Sequence, residues 1–258
     1  MDAIQQRTTP RTAFVTGAAR GIGFSVAERL YAEGNNLVLL DVDLEHAQQA
    51  ASRLDKSGTR VLAIAADVSS QEQVDNAVRQ SLDRFGRIDI LVNNAGISPK
   101  RDGKSATVAS VSVDEWRRVI DVNLTGVFLC AQACLPSMKS SRWGRIVNMS
   151  SQAGRTVSTI AGAHYAASKA GIIAFSRTLA AEVGVFGITV NCVAPGRIMT
   201  PMAAEAGEEA NAQYLKRIPV NRLGLPQDIA ETVTFLASDG AGFITGATID
   251  VNGGSFMS

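Results

Sequence analysis

The sequence predicts an α/β fold: one doubly wound, parallel, seven-stranded sheet with helices on both faces. Three observations predict it. Short apolar runs alternate with helical patterns from end to end, the order that builds a parallel sheet with right-handed crossovers. The apolar runs are nearly continuous, as strands covered on both faces require. A glycine-rich turn, Thr16-Gly17-Ala18-Ala19-Arg20-Gly21-Ile22-Gly23, lies between the first such run and an amphipathic helical pattern.

Taken in order, residues 1–11 are polar and are expected to form a flexible N-terminus ahead of a single domain spanning 12–258. Strands are expected at 13–15, 37–40, 61–65, 88–92, 145–149, 188–193 and 247–251. Helices are expected at 22–33, 44–56, 71–85, 113–140, 164–185 and 227–238. Ser112-Val113-Asp114-Glu115 has the form of a capping box and marks a helix start. Gly34, Gly86 and Gly187 stand where helices should end.

Composition narrows the function classes. The chain has 258 residues, 46% of them hydrophobic, enough for a large core. It carries 25 Lys and Arg against 24 Asp and Glu, a net charge of +1, which argues against a surface for nucleic acid or anionic membrane. No apolar run is expected to span a bilayer, and the N-terminus lacks the apolar core of a secretory signal. Cys130, Cys134 and Cys192 form no disulfide framework, and the first two read as small buried hydrophobes. With His46 and His164 as the only histidines, no metal site is expected. A cytoplasmic location is the default.

The candidate site residues fall at the carboxyl ends of the expected strands. In the glycine-rich turn, Gly17, Gly21 and Gly23 allow backbone N–H groups to approach a pyrophosphate, and the helix beginning at Ile22 adds its positive dipole end. Asp41 closes the second strand, where a carboxylate can accept bonds from ribose hydroxyls and repel a 2′-phosphate. That favours NAD over NADP; Arg20, a cation in the turn, points the other way. Asp41 could instead cap the next helix, a role open to Asp43 as well. Asp67-Val68 follows the third strand, with adenine recognition or helix capping as the competing roles of the acid. Asn93-Asn94-Ala95-Gly96 follows the fourth, as a turn or as a cofactor edge. Asn123 interrupts a helix and has Gly126 beside it, a locally unfavourable pair that suits either a solvent-facing position or a deliberately perturbed helix. Ser151 follows the fifth strand and, lacking a histidine base, suits holding a substrate oxygen. Tyr165 and Lys169 share one helix face four positions apart; an ammonium there would favour the phenolate and draw its pKa toward neutrality.

These motifs together resemble the short-chain dehydrogenase/reductase family, from about Thr12 to Gly254, with similarity to its 3-oxoacyl-carrier-protein reductase and sugar- or polyol-dehydrogenase members. Thr16–Gly23, Asn93–Gly96, Asn123, Ser151, Tyr165–Lys169 and Pro195-Gly196 carry the likeness. The resemblance implies a Rossmann-like fold and an NAD(H)-dependent oxidoreductase that interconverts a secondary alcohol and a ketone. Tyr165 would be the general acid or base, and Lys169 would tune it and hold the nicotinamide ribose. Ser151 would orient the substrate oxygen, and Asn123 would anchor a proton-relay water. Asn94, Ala95 and Gly96 would line the cofactor, and Pro195, Gly196, Ile198 and Thr200 would contact the nicotinamide. The loop between Ser151 and Tyr165 is one residue longer than in many relatives, which leaves Ser150 as an alternative. The segment 197–217 resembles a mobile substrate lid. Glu205, Glu208 and Glu209 in it disfavour a strongly anionic substrate, whereas Arg197, Lys216, Arg222, Lys100, Arg101 and Lys104 could meet an anionic group. The partner implied is a small-molecule alcohol or ketone, and a homotetramer is expected ahead of a dimer. An NADPH-dependent 3-oxoacyl-thioester reductase is the first alternative. A catalytically inactive nucleotide-binding regulator is the second, and the complete Asn-Ser-Tyr-Lys set argues against it.

Overall fold

The structure is a computed structural model that describes residues 10–100, 103–158, 160–200, 211–212 and 214–257. Seven strands form the sheet: β1 (Thr12–Thr16), β2 (Asn36–Asp41), β3 (Val61–Ala65), β4 (Ile90–Asn93), β5 (Gly144–Met149), β6 (Ile188–Pro195) and β7 (Thr248–Val251). All neighbours pair in parallel, in the order β3-β2-β1-β4-β5-β6-β7. The order reverses between β1 and β4. In an open sheet that point leaves a crevice at the carboxyl ends of the strands, where ligands bind.

Among the described residues, the helices that cover the sheet and its crevice are α1 (Gly21–Ala32), α2 (Leu44–Leu54), α3 (Gln71–Phe85), α4 (Val113–Ile120), α5 (Gly126–Ser141), α6 (Ala163–Val183) and α7 (Pro226–Leu236). One face of the sheet packs Phe24 and Leu30 of α1, Ala50 of α2 and Ile229, Val233 and Leu236 of α7. The other packs Val74 and Val78 of α3, Cys130, Cys134 and Met138 of α5, and Leu179 and Val183 of α6. With both faces covered, β1, β4, β5 and β6 are buried throughout, which accounts for their largely apolar sequences. Burial pushes the Cys130 thiol up to about 12 and raises Cys134 as well, as expected of inert core cysteines.

The side chains of Asp43, Ser70 and Ser112 cap α2, α3 and α4, accepting the N–H of His46, Gln73 and Glu115. Gly86 ends α3 in the left-handed conformation, with φ at 75°. Two expectations need correction. The continuous helix over 113–140 is broken by a π-helical turn, Asp121–Thr125, between α4 and α5. And by length and composition the run Val113–Ser141 would pass for a membrane span. Here that run packs α4 against α6, and α5 against α3, β4 and β5.

Candidate active site

A crevice of about 700 Å³ runs along the carboxyl ends of the strands. Among the residues expected at the site, Gly17, Arg20, Gly21, Ile22, Asp41, Asp67, Val68, Asn94, Ala95 and Gly96 line it, together with Ser151, Tyr165, Lys169, Pro195, Gly196, Ile198 and Thr200. Gly23 and Asn123 lie behind its wall.

The nucleotide half is built by strand ends that tie themselves together. Thr16 Oγ1 accepts the N–H groups of Asn94 and Ala95, both at 3.0 Å. Asn94 Nδ2 donates back to the carbonyls of Thr16 and Gly17 at 3.0 and 2.9 Å. The end of β4 therefore holds the β1–α1 turn in place. A Cβ on Gly23 would fall 2.1 Å from the Gly17 carbonyl oxygen, so α1 can start this close to the strand end only as glycine. Backbone groups at a helix start, brought this near the crevice, fit a pyrophosphate.

Asp41 reaches into the turn. Its Oδ2 accepts the Ala19 N–H at 3.1 Å and its Oδ1 the Asp43 N–H at 3.3 Å. Asp43 caps α2, so the capping role does not fall to Asp41. Arg20 is exposed at the mouth. Asp67 is engaged by protein groups. Its Oδ1 accepts from Ser69 N and Oγ, and its Oδ2 from Arg118 Nη2 at 3.0 Å. Burial raises the Asp67 pKa, but the Ser69 bonds and the Arg118 guanidinium outweigh it and hold the carboxyl below its usual range. Ser70, not Asp67, caps α3. Arg118 itself lines the crevice, and no short-range motif marks it in the sequence.

The other half, which carries the residues expected to be catalytic, centres on α6. Lys169 is buried, and its Nζ donates to the Met149 carbonyl at the end of β5, at 2.7 Å. Burial pushes its pKa down to about 8, opposed by the nearby Cys192 sulfur. The Lys169 Nζ stands 5.6 Å from the centre of the Tyr165 ring. Burial raises the Tyr165 phenol, and a hydrogen bond with the Ser151 hydroxyl works against that rise. The expected lowering by Lys169 is therefore not what governs the phenol among the protein groups: desolvation leads and Ser151 opposes it.

The two serines separate cleanly. Ser150 Oγ is buried and donates to the Lys169 carbonyl at 2.9 Å. Ser151 Oγ accepts the Ala153 N–H at 3.1 Å, capping the short 3-10 turn Gln152–Gly154, and its hydroxyl meets Tyr165. Asn123, fully buried in the π turn, accepts the Ile97 N–H at 2.8 Å and donates to the Ile97 carbonyl at 3.0 Å. The perturbed-helix reading holds, and the solvent-facing one does not. Gly126 next to it lets α5 approach Val68: a Cβ there would meet Val68 Cγ2 at 2.8 Å.

On the far side, Gly196 N–H bonds the Val251 carbonyl at 3.0 Å, and Ile198 bridges to Gly224. Of the expected lid, residues 201–210 and 213, with Glu205, Glu208 and Glu209, lie outside the described residues, as does Arg101. Lys100, Arg197 and Tyr214 line the crevice on that side. Arg222, expected there too, instead pairs with Asp228 at the start of α7.

A family model described as enoyl-(acyl carrier protein) reductase matches residues 17–255. A (2S)-[(R)-hydroxy(phenyl)methyl]succinyl-CoA dehydrogenase subunit of Thauera aromatica is 42% identical over 249 residues, 95% of this chain and 96% of that one. A 3-oxoacyl-[acyl-carrier-protein] reductase of Staphylococcus aureus is 42% identical over 248 residues, 96% of this chain and 98% of that one. The crystal structure of a 3-oxoacyl-[acyl-carrier protein] reductase with bound NAD from Brucella melitensis superposes with a TM-score of 0.90. It is 40% identical and covers 100% of this chain and 99% of that one. A doubly wound sheet, a glycine-rich turn locked to the end of β4 and a Tyr-Lys pair on α6, in a chain this similar to such reductases, have one source: the chain is an oxidoreductase belonging to the short-chain dehydrogenase/reductase family.

Proposed function

We propose that the protein interconverts a 3-oxoacyl thioester and the corresponding 3-hydroxyacyl thioester with NAD(H). The observation that carries the reading is the hydrogen-bonded Ser151–Tyr165 pair, standing with Lys169 on the wall of the nucleotide crevice. A bound nicotinamide would supply or take up the hydride. Tyr165 would give or take the proton at the substrate oxygen, and Ser151 would hold that oxygen by a hydrogen bond. Lys169 would return the proton, and Asn123 would keep the floor of the relay in place. The adenosine end would be held by Asp41, Asp67 and Val68, the pyrophosphate by Gly17, Arg20, Gly21, Ile22 and Gly23, and the nicotinamide end by Asn94, Ala95, Gly96, Pro195, Gly196, Ile198 and Thr200.

The thioester reading replaces the broader one of any secondary alcohol. It is supported by the two relatives above, whose names place one on an acyl-CoA and the other on an acyl carrier protein. For the cofactor, a carboxylate anchored by two backbone N–H groups at the end of β2 supports NAD, since a 2′-phosphate would add charge beside it. The Brucella relative with bound NAD supports the same choice. Residues 12–258 would act as one catalytic unit with a substrate lid over 197–217, assembled as a cytoplasmic homotetramer.

The test is turnover of acetoacetyl-CoA with NADH and with NADPH, followed by loss of nicotinamide absorbance. Tyr165→Phe should lower kcat by about 10²–10⁴-fold, the usual contribution of general acid–base catalysis, while NADH still binds. Activity that survives this change would overturn the role of Tyr165. Turnover with NADPH alone would overturn the role of Asp41.

A further inference from the structure

His164 stands next to Tyr165 in sequence, and neighbouring helix positions do not share a face. Its ring is nevertheless tied to the tyrosine. The residue before α6, Gly162, offers no side chain to cap the helix. The first N–H groups of α6 therefore need another acceptor. His164 Nδ1 supplies one, accepting the Tyr165 backbone N–H at 2.7 Å. The other ring nitrogen, Nε2, lies 3.1 Å from Glu115 Oε1 in the first turn of α4. With Nδ1 accepting, Nε2 carries the hydrogen and donates it to the carboxylate, which fixes the tautomer. His164 is only 1% exposed, and its imidazole packs on Gly162.

Glu115 explains the other half of this arrangement. As the third residue of a capping-box pattern, it should turn back to the N–H of Ser112. Ser112 does accept the Glu115 N–H, at 3.1 Å. The Glu115 carboxylate instead crosses to α6. A second tie lies close by in sequence on both sides: Ser105 Oγ donates to the Ile160 carbonyl at 2.9 Å. Two bonds thus fasten the segment entering α4 to the segment entering α6. The second segment borders the crevice at Ile160 and Ala161 and ends on Tyr165.

We infer that His164 is a positioning residue for the reaction, held by Glu115, which fixes the backbone of Tyr165 and so aims its hydroxyl at the substrate oxygen. The inference rests on the assignment of Tyr165 as proton donor. A displaced general acid loses rate even when cofactor and substrate still bind, because orientation is part of the barrier.

The experiment compares His164→Ala, Glu115→Ala and Glu115→Gln with the native enzyme, with Tyr165→Phe alongside. It measures kcat and KM for acetoacetyl-CoA and the Kd of NADH by fluorescence. His164→Ala should lower kcat about tenfold or more, a modest misplacement penalty, with KM and the NADH Kd within about twofold. Glu115→Ala should do the same more weakly. Glu115→Gln keeps an oxygen that accepts from Nε2 and should restore kcat. If His164→Ala or Glu115→Ala leaves kcat unchanged while Tyr165→Phe is inactive, the positioning role is overturned and the reaction assignment stands. If kcat and NADH binding fall together in both alanine variants, the pair merely supports the fold and the inference is again overturned. An active Tyr165→Phe would show that the fault lies in the reaction assignment instead. Should His164→Ala fail to fold, the Glu115→Ala and Glu115→Gln pair decides.

Discussion

Lys169 is a cation where cations are disfavoured. Its Nζ sits within the protein on the Met149 carbonyl, and burial pushes its pKa down to about 8 from 10.5. In an unfolded chain the same amine holds its proton to the higher value. Between those two pH values the unfolded state binds more protons than the native one, so this group makes stability rise with pH there. Below about 8 the full cost of the buried charge is present, on the order of 3 kcal/mol at most for a shift of this size. Lys169→Met removes the charge. Its stability relative to the native protein should be most favourable near pH 7 and should decline by about 3 kcal/mol as pH is raised to about 10.5. Urea melts of both proteins across that range read the difference. A gap that stays flat with pH would mean that the amine is not destabilised in the fold. Activity should be lost at every pH, which would place a functional group in a position that costs stability.

The break between α4 and α5 plays the corresponding part among the elements. A π turn places one extra residue in the helix and frees Asn123 to face the loop after β4. There its side chain replaces a strand partner for Ile97, accepting its N–H and donating to its carbonyl. That loop continues from Asn94-Ala95-Gly96, and a Cβ on Gly96 would meet Asn123 Oδ1 at 3.3 Å and Lys169 Nζ at 3.5 Å. Asn123 therefore packs between the loop after β4 and Lys169. Asn123→Ala leaves both backbone groups of Ile97 without these partners and should cost about 2–6 kcal/mol in stability, at about 1–3 kcal/mol for each unpaired group. A loss below about 1 kcal/mol would show that water or a shifted loop satisfies Ile97 instead. The sequence made the disturbance visible, because Asn123 and Gly126 are poor helix residues, but it could not give its form: the partners, Ile97 and Val68, are distant in the chain. The central strands β1, β4, β5 and β6 were legible for the opposite reason, since burial on both faces writes itself into each run locally. The Arg118–Asp67 and Glu115–His164 pairs were not legible, because surface-type side chains that meet across helices leave no periodic trace.

At the scale of the whole molecule, large apolar side chains are exposed on many elements, and the aromatic ones among the described residues fall on α4–α5 and on α7 with the turn before β7. Val113, Trp116 and Phe128 are exposed on α4 and α5, with Phe128 set edge-on to Phe175 of α6 at 6.4 Å. Phe235 of α7 and Phe243, the latter fully exposed between α7 and β7, make up the second set. Burying a phenylalanine contributes about 1.5–3 kcal/mol, and a two-fold interface buries each one twice. The proposed tetramer, with three perpendicular two-fold axes, would need two different self-complementary patches on each subunit, and these two aromatic sets are the candidates. If that tetramer forms, Phe243→Asp should leave a dimer held by the α4–α5 face, and Phe128→Asp a dimer held by the other. The double variant should be a monomer, and light scattering on eluting peaks distinguishes all four proteins. A native protein that elutes as a monomer at micromolar concentration would refute the tetramer outright. A tetramer unchanged by either charge would mean that the contacts lie elsewhere on the surface, away from both aromatic groups.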